Sequence, residues 1–127
     1  MRKGFTLLEL IVVIIILGIL ATLGFTQYTR VVEKGRTAEA KTILGTIRSA
    51  QEAYKLENGV YTGTIGNLSV EVPTTCATTH HFSYNTTDTV VTATRCTAGG
   101  KTPQGSSAYT ITLTYSTSAW GGTAGYY

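Results

Sequence analysis

Few residues in this chain have a type and spacing that could do chemistry. Glu9 comes first: a single carboxylate near the start of an apolar run, behind Arg2, Lys3 and Gly4. A charge in such a run is costly and is rarely kept without a partner, so the function turns on what Glu9 pairs with. Cys76 and Cys96 are the only cysteines. With His80 and His81 they could be written as a zinc set, or alone as a disulfide. Adjacent histidines in an extended strand point to opposite faces, which argues against one ion held by both. No nucleophile–base pair is legible among so few His, Asp and Glu residues, and no Asp-rich loop exists for calcium. The expectation is a protein that is not an enzyme and has no metal or other cofactor.

The element that must position Glu9 is the apolar run itself. Phe5 to Phe25 is 21 residues, about 31 Å as a helix, close to the bilayer core of about 30 Å. A secretory signal peptide would place its small-residue cleavage site after the apolar region. Here the small residue, Gly4, precedes it. A plain signal anchor, oriented by Arg2 and Lys3 on the cytoplasmic side, is the simpler alternative, but it leaves Glu9 and Gly4 unexplained.

Gly4-Phe5-Thr6-Leu7-Leu8-Glu9 resembles the processing site of type IV pilins and the related pseudopilins of type II secretion. The resemblance implies a cut between Gly4 and Phe5 by a dedicated membrane peptidase, and N-methylation of Phe5. It implies an assembly role for Glu9, four positions after the cut. The new amine at Phe5 would lie near Glu9, within one helix or between staggered neighbours, since residues i and i+4 approach each other on a helix. An unpaired partner would be strongly unfavourable, and an intersubunit pair would set the stagger. Partners implied by the resemblance are the prepilin peptidase, an assembly ATPase, a platform protein, the inner membrane before assembly, and further copies of the chain. Gly18 matches a family position near a segment that unwinds in assembled filaments. The family's proline a little further on is replaced by Thr26, and Gly18 and Gly24 are the expected weak points.

Composition bounds the rest. The chain has 127 residues and a net charge of +3; without Arg2 and Lys3 the side chains give 3 − 2 = +1. That is no nucleic-acid footprint. After Glu57 the formal charges are Glu71, Asp88, Arg95 and Lys101, and Thr dominates the polar residues. Past the apolar run, Tyr28, Val32, Ala40, Ile43, Ile47, Ala50 and Tyr54 recur at helical spacing as an apolar face. Glu33, Arg36, Glu39, Lys41, Arg48, Glu52 and Lys55 fill the other side. Asn58-Gly59 is a stop signal. The spacing predicts one helix from about Phe5 to Leu56.

Beyond it, residues 59–79 resemble the αβ loop of pilins. Three strand candidates follow: His80 to Asn85, Thr89 to Arg95, and Ala108 to Ser116. In the last, Tyr109, Ile111, Leu113 and Tyr115 face inward, and Thr110, Thr112, Thr114 and Ser116 outward. Asn85 to Asp88 is the expected hairpin turn, and Gly99 to Gly105 a longer loop. Trp120 to Tyr127 is either a surface strap or a binding edge. In an exported domain an even cysteine pair forms a disulfide, here Cys76–Cys96. Crowded, nearly uncharged surfaces stay wetted by hydroxyls or carry O-linked sugars, with Thr74, Thr75, Thr78, Thr79, Thr86, Thr87, Thr110, Thr112, Thr114 and Ser116 as candidate sites. The sequons at Asn67 and Asn85 fit N-glycosylation by pattern only.

The expected fold is α+β. Residues 1–4 form a leader and 5–58 a long helix, of which 5–27 is transmembrane or filament core. Residues 59–127 form a small antiparallel β-meander of three to four strands packed on the helix. The expected function is the structural subunit of an extracellular type IV pilus-like filament of a bacterium, assembled by lateral packing of the apolar helices. The pseudopilin of a type II secretion system shares every N-terminal feature; the missing Asp-rich loop favours the pilin. A monomeric membrane-anchored binding domain is the alternative of a different class.

Overall fold

The computed structural model describes residues 3–98 and 107–127. Met1 and Arg2 of the expected leader, and the expected loop from Gly99 to Gly105, lie outside the described residues. Two compact units divide the chain, Met1–Val32 and Glu33–Tyr127.

One helix, α1, runs Leu7–Asn58. It begins two residues later than the apolar pattern suggests, because Thr6 caps it. The Glu9 N–H donates to Thr6 Oγ1 at 3.2 Å, and the Thr6 N–H donates back to Glu9 Oε2 at 3.4 Å. That reciprocal pair is a capping box, Thr-x-x-Glu, and it satisfies backbone donors that the first turn leaves without partners. In the first unit every described side chain from Lys3 to Tyr28 is exposed. The helix is long and apolar enough to cross a membrane. It passes Gly18 and Gly24 without a break. The hydroxyls of this half are turned back on their own helix: Thr22 donates to Gly18 O at 2.7 Å, Thr26 to Leu23 O at 3.0 Å, and Thr29 to Thr26 O at 2.9 Å.

In the second unit the buried positions of α1 are Glu33, Thr37, Ala40, Leu44, Ile47 and Gln51. Their spacing alternates four and three residues, the stripe of an amphipathic helix. The apolar residue types predict this stripe only in part. Ala40 and Ile47 lie on it, Ile43, Ala50 and Tyr54 flank it, and Tyr28 is exposed. Glu33, expected on the charged side, is buried. Asn58-Gly59 does end the helix: Gly59 takes a φ of +81° and its N–H donates to Lys55 O at 2.7 Å. Glycine accepts that left-handed backbone without a Cβ clash.

Among the described residues one 3₁₀ turn follows, Ile65–Asn67, and then four antiparallel strands in simple meander order. These are β1 Phe82–Thr86, β2 Val90–Arg95, β3 Thr110–Thr114 and β4 Trp120–Gly122. Register runs from Phe82↔Arg95 to Thr86↔Val91, from Val90↔Thr114 to Thr94↔Thr110, and from Ile111↔Gly122 to Leu113↔Trp120. The hairpin turn falls later than expected, after Thr86, where the Thr87 N–H donates to Val90 O at 2.9 Å. The tail from Trp120 opens as the fourth strand, at the sheet edge. Period-two alternation sends Phe82, Tyr84, Val91, Ala93, Ile111 and Leu113 into one core with Ala40, Leu44 and Ile47. One face of the sheet thus covers the helix stripe, as an α+β layer requires.

Candidate functional site

The segment expected to be processed is open. Phe5 is 81% exposed, and Lys3 to Thr6 is not helical. Glu9 is also exposed, and its carboxylate is engaged by Thr6 through both the backbone N–H and, at 3.4 Å, the hydroxyl. Among the described residues Glu9 is thus held by Thr6. A carboxylate in the first turn also sits favourably at the positive end of the helix dipole.

Cys76 and Cys96 are joined, with a Cα–Cα distance of 5.6 Å and a sequence separation of 20. That removes both thiols from the zinc set. His80 Nε2 instead donates to Thr75 O at 2.6 Å, and His80 Nδ1 lies 3.1 Å from Thr79 Oγ1. The disulfide ties this segment to Cys96, the residue after β2, and the hydrogen bond closes residues 75–80 on themselves.

Sequence reasoning missed a buried ion pair in the second unit. Arg95 is 1% exposed. Its Nε donates to Glu33 Oε1 at 2.6 Å, and Tyr109 Oη donates to the same oxygen at 2.6 Å. Arg36 Nη1 reaches Glu33 Oε2 at 3.2 Å. Arg95 Nη1 also donates to Cys96 O at 2.8 Å and His81 O at 3.2 Å, holding the chain beside the disulfide. Tyr126 stacks on Tyr109 at 3.8 Å and covers the group. Burial pushes the Glu33 carboxyl up, but the hydrogen bonds from Arg95 and Tyr109 and the charges of Arg95 and Arg36 outweigh it. Its pKa is held below the ordinary glutamate value. Burial, and then the Glu33 carboxylate, push the Tyr109 phenol well above its usual range. The signal was present in the sequence: Arg95 follows Val91 and Ala93 at inward positions, and Glu33 begins the four-three stripe of α1.

A second buried group works without charge. Gln51 Nε2 donates to Thr62 O at 2.6 Å and Thr86 Oγ1 at 3.0 Å, and Gln51 Oε1 accepts from the Thr62 N–H at 3.0 Å. Tyr115 Oη closes the group through Thr86 Oγ1. Thr86 is therefore no glycan site: it is 4% exposed, and a sugar would displace this network. Of the other candidates, Thr74, Thr75, Thr78, Thr79, Thr87 and Ser116 are exposed, and Thr110, Thr112 and Thr114 are half-buried. The inward set Tyr109, Ile111, Leu113 and Tyr115 is buried as the alternation predicts.

A capped apolar helix behind a basic flank, with a small antiparallel sheet folded onto its second half, places the chain in the pilin-like class. Residues 37–122 match the family model for type IV pilin-like G and H, and residues 1–25 match the prokaryotic N-terminal methylation motif. The chain belongs to the type IV pilin-like G and H family. It is 44% identical over 74 residues to type II secretion system core protein G of Vibrio cholerae, covering 57% of this chain and 51% of that one. To the protein of the same name in Pectobacterium carotovorum it is 41% identical over 71 residues, 56% of this chain and 46% of the relative. To the type IV major pilin protein PilA of Myxococcus xanthus it is 35% identical over 60 residues, 47% of this chain and 27% of the relative. The chain thus spans about half the length of the first curated relatives it matches.

Proposed function

We propose that this protein is a structural subunit of a type IV pilus-like filament, inserted in the inner membrane, trimmed between Gly4 and Phe5, methylated on Phe5 and assembled through its apolar helix. The observation that carries this reading is the first unit: an apolar helix with every described side chain exposed up to Tyr28, behind an open Gly4–Phe5 bond. Such a helix satisfies its own backbone and needs only an apolar surrounding, which lipid and a bundle of like helices both supply. The peptidase, an assembly ATPase and a platform protein are the proposed partners. No reaction and no cofactor is part of this role.

The pseudopilin of a type II secretion system is the second reading. The relatives named core protein G favour it. Against it stands the C-terminal half, whose carboxylates after Glu57 are Glu71 and Asp88 alone, too few for an Asp-rich calcium loop. Electron microscopy of the native assembly separates the readings. Long surface filaments containing this chain are expected, and short fibres confined to the periplasm mean the pseudopilus. A chain that stays monomeric in the membrane overturns both. Mass spectrometry of the mature amino terminus checks the trimming, and replacing Gly4 with a bulky residue should abolish it.

A further inference from the structure

The first turn of α1 closes on Thr6, whose carbonyl accepts the Leu10 N–H at 3.3 Å. The capping box of Thr6 and Glu9 fixes that start. Just upstream, Lys3 to Thr6 remains non-helical, and Gly4 has open space around it. We propose that Thr6 is a positioning residue for processing: its cap stops the helix at Leu7 and keeps the Gly4–Phe5 peptide in non-helical, cleavable backbone. This rests on the trimming proposed above and adds a determinant to it.

The chemistry explains why the helix must stop. Hydrolysis breaks the bond between the Gly4 carbonyl carbon and the Phe5 nitrogen. Water supplies the hydroxyl that leaves Gly4 as a carboxylic acid and the proton that leaves Phe5 as an amine. Were the helix to continue upstream, the Gly4 carbonyl would accept the Leu8 N–H and the peptide plane would lie along the helix axis. Proteolysis favours exposed, non-regular backbone. Phe5 follows Gly4 directly, so nothing but the cap separates the bond from the helix. Alanine at position 6 removes the cap and installs the best helix former, favouring extension.

The test uses the full-length chain in detergent micelles with the purified processing peptidase. Thr6→Ala should be trimmed about fivefold more slowly, the population shift that loss of an N-cap represents. Thr6→Ser and Thr6→Asn keep a capping side chain and should stay within about twofold of the parent. Asn carries no hydroxyl, so its rescue separates capping from direct reading of the Thr6 hydroxyl by the peptidase. The Phe5 backbone carbon shifts, read by NMR in the same micelles, should be non-helical in the parent and Thr6→Asn and move toward helical values in Thr6→Ala. Parent-like trimming of Thr6→Ala, or Thr6→Asn as slow as Thr6→Ala, overturns the proposal. A parent chain left uncut after Gly4 by an active peptidase overturns the trimming itself, and this proposal with it.

Discussion

Replacing Arg95 with Met keeps much of the buried volume and removes the charge. Glu33 then stays buried with Tyr109 and Arg36, and the carbonyls of Cys96 and His81 lose the donor they share. Removing one partner of a buried ion pair costs about 3–5 kcal/mol. For a unit the size of Glu33–Tyr127, each kcal/mol shifts the melting midpoint by about 4–8 °C. Taking the low end of both ranges, Arg95→Met should melt at least about 12 °C below the parent. The assay is near-ultraviolet circular dichroism of the full chain in micelles, which reads the packing of Tyr109 and Tyr126. Glu33→Gln, which keeps an acceptor for Tyr109, should lose less. The double variant Glu33→Leu/Arg95→Met should lose far less than the sum of its parts, since both charges of the buried pair go together and the partly exposed Arg36 keeps its water. The acid limb adds a sign. Because the folded-state pKa of Glu33 lies below the ordinary value of 4.5, the contribution is fully present above that value. It is lost as pH falls through the folded-state pKa. In Arg95→Met burial dominates, the carboxyl titrates higher, and acid unfolding should begin at higher pH. A melting midpoint within about 4 °C of the parent, with an unchanged acid limb, would refute the assignment of this pair as the main polar bond between α1 and the sheet.

Three further outcomes are expected. Glu9→Val should insert in the membrane at parent levels but give few filaments, because a neighbour's Phe5 amine is left unpaired; parent-like filament yield on electron micrographs contradicts this. Cys76→Ser should lose about 3 kcal/mol in urea unfolding, since the bridge closes a loop of 20 residues; native subunits with two free thiols on peptide mapping would rule out the bridge. Intact-mass analysis of native subunits separates hydration by the hydroxyls alone from O-linked sugar: a mass equal to the trimmed, methylated, disulfide-bonded chain would falsify the glycan alternative alone, and any added sugar should map by peptide analysis to exposed residues such as Thr74, Thr75, Thr78 and Thr79 and not to the buried Thr86.

The fold was legible where residue type and period agree. Tyr109, Ile111, Leu113 and Tyr115 alternate with hydroxyl residues, and Asn58-Gly59 ends a helix by backbone preference alone. The Cys76–Cys96 bridge followed from an even count. Legibility failed where a polar residue occupies an inward position. Glu33 and Gln51 belong to the buried stripe of α1, yet a reading weighted by apolar type assigns the face to Tyr28, Ile43 and Tyr54 instead. Thr86 was counted among surface hydroxyls because a hydroxyl says nothing about burial until its partners, Gln51 and Tyr115, are placed across the fold. Strand β4 is three residues with two glycines, too short to show a period. Thr6 and Glu9 stand at the three-residue spacing of a capping box, but Glu9 also lies at the head of an apolar run, where its charge suggests an ion-pair partner first.

The threonines of the apolar half bear on assembly. Thr22, Thr26 and Thr29 spend their hydroxyl protons on carbonyls of their own helix, so they demand no donor or acceptor from whatever surrounds them. Exchanging lipid for neighbouring helices therefore asks for no new partner for these three hydroxyls. The proposed move from lipid into a bundle then turns on how the apolar side chains pack, with these hydroxyls indifferent to which of the two surrounds them.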